Sequence, residues 1–195
     1  MQEPVRIMPQ LYMKRDNLDG LAPVVLPEGY TLRTSLPGDG KHWALILNES
    51  FGGDRTEEAF VKEMVEHPAY RAERIFFICA PDGEPCATAS AYQQQVDEVT
   101  IGYVHYVATR PCHAGNKLGY QVSLAVLHQF KAEGLTFAVL QTDDYRIPAL
   151  KTYLRLNFHP VLIHENQLQR WQVLLLELGI PEETVKLEWQ LPGRE

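Results

Sequence analysis

Cysteine is scarce in this chain. Cys79, Cys86 and Cys112 are the only three, with no CxxC spacing and no His/Cys cluster around them. That excludes a structural zinc site and a disulfide framework by their usual signatures, so no metal is expected. Free thiols in a reducing cytoplasm are the expectation. Positive charge is also in deficit: 18 Lys and Arg stand against 25 Asp and Glu, for a formal net charge of −7. A general nucleic-acid binder wants a basic surface, so none is expected. The acidic balance mildly favours cationic partners, and a local basic pocket for an anionic cofactor is compatible with it. Long apolar runs are missing too. Nothing approaches the roughly 18 residues of a membrane span. The start, MQEPVRIMPQ, has no apolar core of a signal peptide, so a cytoplasmic protein without a membrane partner is expected. There is no internal repeat and no low-complexity segment. Two familiar phosphate loops are absent, GxxxxGK[ST] and GxGxxG, and the first half lacks the βαβ repeats of a dinucleotide fold.

What is present is a globular composition, 45% hydrophobic over 195 residues, enough for one core with an added arm. Residues 1–29, with Pro4, Pro9, Pro23 and Pro27, read as an extended arm lying on a single domain over 30–195. Strands are expected at 30–36, 74–80, 84–94, 98–109, 135–142, 160–164 and 185–191. The last alternates Val185, Leu187, Trp189 and Leu191 with Lys186, Glu188 and Gln190. Helices are expected at 38–52, 56–67, 117–133, 148–158 and 166–179. Thr56 caps the second and Pro68 stops it, and Pro148 sits in the first turn of the fourth. Pro81-Asp82-Gly83 marks a hairpin. The strand 98–109 is apolar on both faces, which predicts a central position covered twice. The order is an α/β pattern around a mixed sheet.

The stretch VATRPCHAGNKLGYQV, 107–122, takes a strand through glycines into a helix. A helix N-terminus offers unpaired N–H groups and a partial positive charge, a ready site for phosphate, and Lys117 adds a full charge. An ordinary turn, with Gly115 and Gly119 serving packing, fits the loop alone equally well. From Tyr30 to His164 the chain resembles the GNAT superfamily of acyl-CoA-dependent N-acetyltransferases. That family has a long strand, a proline and a Q/R-x-x-G-x-G/A turn opening a helix. Ala114 stands here at the Q/R position, Lys117 at the first glycine and Gly119 at the second. The second landmark, N-x-x-A-x-x-x-Y-x-x-x-G-F, reads RIPALKTYLRLNF here, with Ala149, Tyr153 and Phe158 matching and Arg146 and Asn157 replacing Asn and Gly. The chain is similar in particular to members reading H-[YW]-V-A-x-x-P and T-D-D-[YF]-R-[LI]-P-A, and shares ENQ-x-x-RW at 165–171.

The resemblance implies a mixed, mostly antiparallel sheet flanked by helices, with the N-terminal arm and an extra helix before the last strand. It implies acetyl-CoA as co-substrate. Backbone N–H groups of Ala114, Gly115, Asn116, Lys117, Leu118, Gly119 and Tyr120 would cradle its pyrophosphate. Val107, Ala108 and Thr109 would pair with the pantetheine amides, with Arg146 and Ala149 also at the cofactor. Arg146 can equally pair with Asp143 or Asp144. Those acids can hold a cationic substrate or serve the dipole of the next helix. Tyr153 is the candidate proton donor to the departing thiolate, against a packing role. His105 is the candidate base, on the same strand face as Val107, against a core histidine. His113 would touch phosphate or solvent, and His128 lies on the surface. Cys112 borders the loop without a nucleophilic role. The helix carrying Trp171 is a lid or packing element, or an oligomer contact. The implied activity is acetyl transfer to a primary amine, of a small molecule or a peptide, by direct attack in a ternary complex. A degenerate acyl-CoA-binding module that senses or regulates is the alternative, and a nucleotide-binding domain of another family a third. A homodimer is left open.

Overall fold

The computed structural model describes residues 8–96 and 98–189. The chain divides into two compact units, Arg15–Val139 and the described part of Met1–Lys14 with Leu140–Glu195. The elements run β1 (Leu11–Arg15), β2 (Thr31–Thr34), α1 (Gly40–Phe51), α2 (Glu57–Phe60), β3 (Ile75–Cys79), β4 (Pro85–Val96), β5 (Val99–Thr109), α3 (Leu118–Ala132), β6 (Ala138–Thr142), α4 (Ile147–Arg155), β7 (His159–Leu162), α5 (Gln167–Leu178) and β8 (Glu188–Trp189). After β1 this is the expected order. It is a mixed α/β fold with mostly antiparallel strands flanked by helices.

In the unit Arg15–Val139 the strands lie in the order β2-β3-β4-β5-β6. β2, β3, β4 and β5 pair antiparallel, and β6 joins β5 in parallel through Gly102↔Ala138 and Tyr103↔Val139. The β3–β4 turn closes as expected, with Gly83 at a φ of 89° and its N–H donating to the Ala80 carbonyl at 2.8 Å. All five residues of β3 are buried, because helices cover both faces. Ile75 and Phe77 join Trp43, Ile46, Leu47, Phe60 and Met64 on the α1–α2 side. Phe76 and Ile78 alternate to the other face, where α3 packs on β3, β4 and β5. There Gly102 leaves room for the ring of the fully buried Phe130: a Cβ at 102 would stand 2.7 Å from Cδ2.

Three expectations change here. The helix expected over 56–67 is α-helical only at Glu57–Phe60 and continues as a π-helical turn, Val61–Val65. Pro68 follows three residues after its end. The N-terminal arm supplies a strand, because Leu11 and Met13 alternate into the core with no exposure. His128 is half-buried and its Nε2 lies 2.8 Å from the Ala22 carbonyl of the arm. Val25 N–H also donates to Gln121 Oε1, so the arm is held along α3.

In the second unit the order is β6-β1-β7-β8. β1 runs antiparallel to β7, Tyr12↔Val161 to Lys14↔His159, and β8 parallel to it. The final strand begins at Glu188, three residues later than its alternation suggests. Trp189 is 51% exposed, so the expected inward row fails at that position, while Gln190 and Leu191 lie outside the described residues, as do residues 1–7 of the arm.

Candidate active site

The long strand β5 does not run evenly. Its ladder to β4 pairs Ser90↔His105 and then Thr88↔Ala108, so Tyr106 and Val107 stand opposite the single residue Ala89. Tyr106 takes a φ of 49°, rare for an aromatic residue and on the order of 1–3 kcal/mol of strain that surrounding contacts must hold. The bulge also changes which side chains share a face. Tyr103, Tyr106 and Ala108 all pack against the Trp43 cluster. The expectation that His105 and Val107 share a face is therefore overturned. One extra residue has reversed the alternation after His105, which shares its face with Tyr106 and Ala108.

His105 lies among rings: Tyr106 with centroids at 3.9 Å, Tyr92 at 5.0 Å and Tyr103 at 5.4 Å. Burial, with a smaller contribution from His67, lowers its pKa from 6.5 to about 4, so it is neutral at neutral pH. The Tyr106 hydroxyl donates to Glu63 Oε2 at 2.6 Å. Burial first, and that carboxylate second, push the phenol well above its usual range. Tyr92 donates to the Glu63 backbone carbonyl at 3.1 Å, and burial raises its pKa to about 12. Glu63 lies in the π-helical turn that follows α2. Neither Glu63 nor Tyr106 was expected as a site residue. The only signal was the ring-bearing run at 103, 105 and 106, which breaks period two.

Beyond β5, Pro111–His113 forms a short 3₁₀ turn and α3 opens at Leu118. Gly115 has a φ of 84° and Lys117 a φ of 57°. Lys117, at a motif glycine position, thus occupies the left-handed conformation, which glycine adopts without a Cβ penalty. For a lysine it costs roughly 1–2 kcal/mol. Ala114 N–H returns to the Pro111 carbonyl and Gln121 N–H to that of Lys117. Between them, among the described residues, the backbone N–H groups from Gly115 to Tyr120 donate to no protein acceptor. This is a row of free donors at the positive end of a 15-residue helix. Ala114 to Lys117 are exposed, while Leu118 is buried and anchors the row. His113 is held back from it, its Nδ1 3.0 Å from the Tyr30 hydroxyl. Arg110 is clamped by both carboxylate oxygens of Glu49 at 3.0 Å. Val107 and Thr109 are half-buried and Ala108 buried.

In the second unit Tyr153 is buried at 6% exposure on α4, its ring 6.2 Å from Phe158 edge-on. Asn157 closes α4 at a φ of 60°, a left-handed conformation that Asn tolerates. Arg146 precedes α4 and pairs with Asp143 at 2.9 Å. Burial works to raise the Asp143 carboxyl, but hydrogen bonds from Gln10 and Arg146 outweigh it and hold the pKa low. Asp144 receives Arg170 Nε at 2.9 Å, and Arg170 Nη1 donates to the Pro9 carbonyl at 2.9 Å. The TDDYR and ENQLQRW motifs are therefore two halves of one ion-paired network. Trp171 is fully buried, a packing residue, and Ala149 is half-buried.

Residues 42–158 match the model of the Acetyltransferase (GNAT) family. The chain is 30% identical over 160 residues to a mycothiol acetyltransferase of Thermomonospora curvata, covering 78% of this chain and 52% of the relative. It is 29% identical over 144 residues to that of Streptomyces griseus, covering 71% and 46%. The chain thus spans about half the length of the curated relatives it matches. Among solved structures it resembles a GCN5-related N-acetyltransferase from Sphaerobacter thermophilus, with a TM-score of 0.62, 22% identity, 78% of this chain and 49% of that one. The NatC complex bound to a Gag peptide and CoA has a TM-score of 0.55 at 10% identity, over 65% of this chain and 82% of that one. At these identities the structures share the fold alone.

Proposed function

Because this chain belongs to the GNAT family of acetyltransferases, we propose that it transfers the acetyl group of acetyl-CoA to a primary amine by direct attack in a ternary complex. The free N–H row from Gly115 to Tyr120 carries the reading, since backbone donors at a helix N-terminus suit a pyrophosphate. β5 pairs with β4 through Ala108 and Thr109 but with β6 only through Gly102 and Tyr103, so on its β6 side the backbone of Val107–Thr109 can receive the pantetheine amides. A neutral amine attacks the thioester carbonyl. The N–C bond forms, the C–S bond breaks, and Tyr153 gives the departing thiolate its proton. The carbonyl is polarised by a backbone N–H near Val107 or Ala108.

The amine proton goes to His105, directly or through water. Its low pKa keeps the imidazole in the proton-accepting form. A second reading gives the base role to Glu63, favoured by its carboxylate lying 2.6 Å from the Tyr106 hydroxyl. The acceptor is a small-molecule or peptide amine. The free thiols of Cys79, Cys86 and Cys112 suit a cytoplasmic protein. Among the described residues no helix is long and apolar enough to cross a membrane.

Free CoA release from acetyl-CoA over a panel of amines tests the reading. Tyr153→Phe should lower kcat on the order of a hundredfold or more while acetyl-CoA still binds. Turnover unchanged in that variant would remove Tyr153 as the acid. Binding of acetyl-CoA with no amine turned over would instead favour the sensing module.

A further inference from the structure

The loop between α1 and α2 presents a half-buried arginine. Arg33, Arg74, Arg110, Arg146 and Arg170 each meet a carboxylate. Arg55 is half-buried and meets none among the described residues. Its Nε is sealed from solvent without a hydrogen-bond partner, and its Nη1 reaches only the Gly52 carbonyl at 3.4 Å. Removing a guanidinium from water without a counter-charge is unfavourable. Yet the protein holds it in place: Asn48 of α1 accepts from the Arg55 N–H and donates to its carbonyl, both at 2.9 Å.

The neighbourhood is the Tyr106 bulge. Arg55 is tied to Asn48, the residue after Leu47 on α1, and Leu47 and Trp43 belong to the cluster against which Tyr106 packs. Its charge also works to lower the Tyr106 hydroxyl's pKa, against burial and Glu63. Trp43, edge-on to Tyr106 at 5.3 Å, has its buried Nε1 without a partner, and so has the hydroxyl of Ser90, the register partner of His105. A fixed cation and two further buried donors surround one half-buried aromatic patch. Donors without acceptors call for a ligand that brings acceptors.

We propose that Arg55 is the specificity-determining residue for the acceptor, binding a carboxylate carried by the amine substrate. This rests on the acetyltransferase reading and narrows its substrate class. The acceptor is an amino-acid-like molecule whose anionic end docks on the guanidinium fork, while its amine faces the His105–Tyr106–Glu63 group. A chain of net charge −7 thus keeps a local cation where the acceptor enters. Arginine suits the task because its planar fork meets both carboxylate oxygens.

The test is binding of L-leucine, L-phenylalanine and L-methionine, each against its carboxamide, measured by calorimetry with the full chain and with Arg55→Met and Arg55→Lys. Wild type should bind the acid of at least one pair about tenfold or more tighter than the amide. Arg55→Met should bind acid and amide alike. Arg55→Lys should keep part of the preference, since it retains the charge and loses the fork. The ligand-free unfolding midpoint reports folding, and Arg55→Lys carries the test if Arg55→Met does not fold. No preference in wild type, including no binding of either member, overturns the assignment, as does a preference that survives in Arg55→Met. Acetyl-CoA binding on the same samples separates the two readings. Acetyl-CoA bound without acid preference sinks the Arg55 role alone. An Arg55-dependent preference without acetyl-CoA binding supports the carboxylate site and sinks the transferase reading.

Discussion

Gly119→Ala separates what the helix start needs for folding from what it needs for a ligand. A Cβ at position 119 would meet only Thr109 Oγ1, at 3.7 Å, an ordinary contact. Gly119 lies in α3 without a positive φ, so alanine fits the backbone. Its gain over glycine in a helix is about 0.5–1 kcal/mol. The ligand-free protein should therefore unfold at the same temperature or slightly higher. The methyl group, however, stands among the free donors that a pyrophosphate must reach. Acetyl-CoA at about 100 times its Kd should stabilise wild type by roughly 2.7 kcal/mol, and a tenfold loss of affinity reduces that to roughly 1.4 kcal/mol at the same concentration. For a chain of this length each kcal/mol moves the midpoint by about 2–4 °C. A shift of roughly 5–11 °C in wild type should thus fall to roughly 3–6 °C in the variant. Thermal unfolding with and without acetyl-CoA, with ATP and NAD as controls, reads all of this. Equal shifts in the two proteins would refute the cradle at Gly119. No shift in wild type would refute the cofactor.

Gly102→Ala should destabilise by about 1–3 kcal/mol in denaturant unfolding, because its Cβ would press within 2.7 Å of the buried Phe130 ring. A double-mutant cycle on Asp144 and Arg170 should give a coupling on the order of 1–3 kcal/mol, since Arg170 is 12% exposed and also holds the Pro9 carbonyl. His105 has a folded pKa lowered from 6.5 to about 4. The unfolded chain then binds the proton first, so stability is full above pH 6.5 and falls as pH drops towards 4, by about 3 kcal/mol. His105→Gln should flatten that window, and an unchanged pH profile would show that His105 titrates normally. Lys117→Gly should relieve roughly 1 kcal/mol of left-handed strain, offset in part by the freedom glycine has in the unfolded chain. A large loss of stability there would mean the lysine side chain, not the backbone path, holds the loop.

The period-two and helical patterns were enough to order the strands and α-helices after the arm, because burial of one face leaves its spacing in the chain, but not to find the π-helical turn after α2. The motif positions around 105–120 and 146–158 were equally legible, and both residues that stand at motif glycine positions take left-handed turns. Asn157 does so as a residue that tolerates the conformation, and Lys117 does so under strain.

Other features left no such trace. β1 was hidden because its Tyr12, Met13 and Lys14 pair with β7, about 150 residues later in the chain, and Leu11 and Met13 find a core only once such distant strands meet. The bulge at Tyr106 exists because β4 is one residue short of β5 between two fixed pairs, a mismatch between strands that neither strand records alone. From it follow the face shared by His105 and Tyr106 and the contact of Tyr106 with Glu63. Arg55 shows the same division. Its charge is written in the sequence, but that no carboxylate among the described residues pairs with it is a fact of packing. Local patterns are set by which residues must leave water. Which of them then meet, and which donors are left over, depends on register and on separations along the chain that only the folded state fixes.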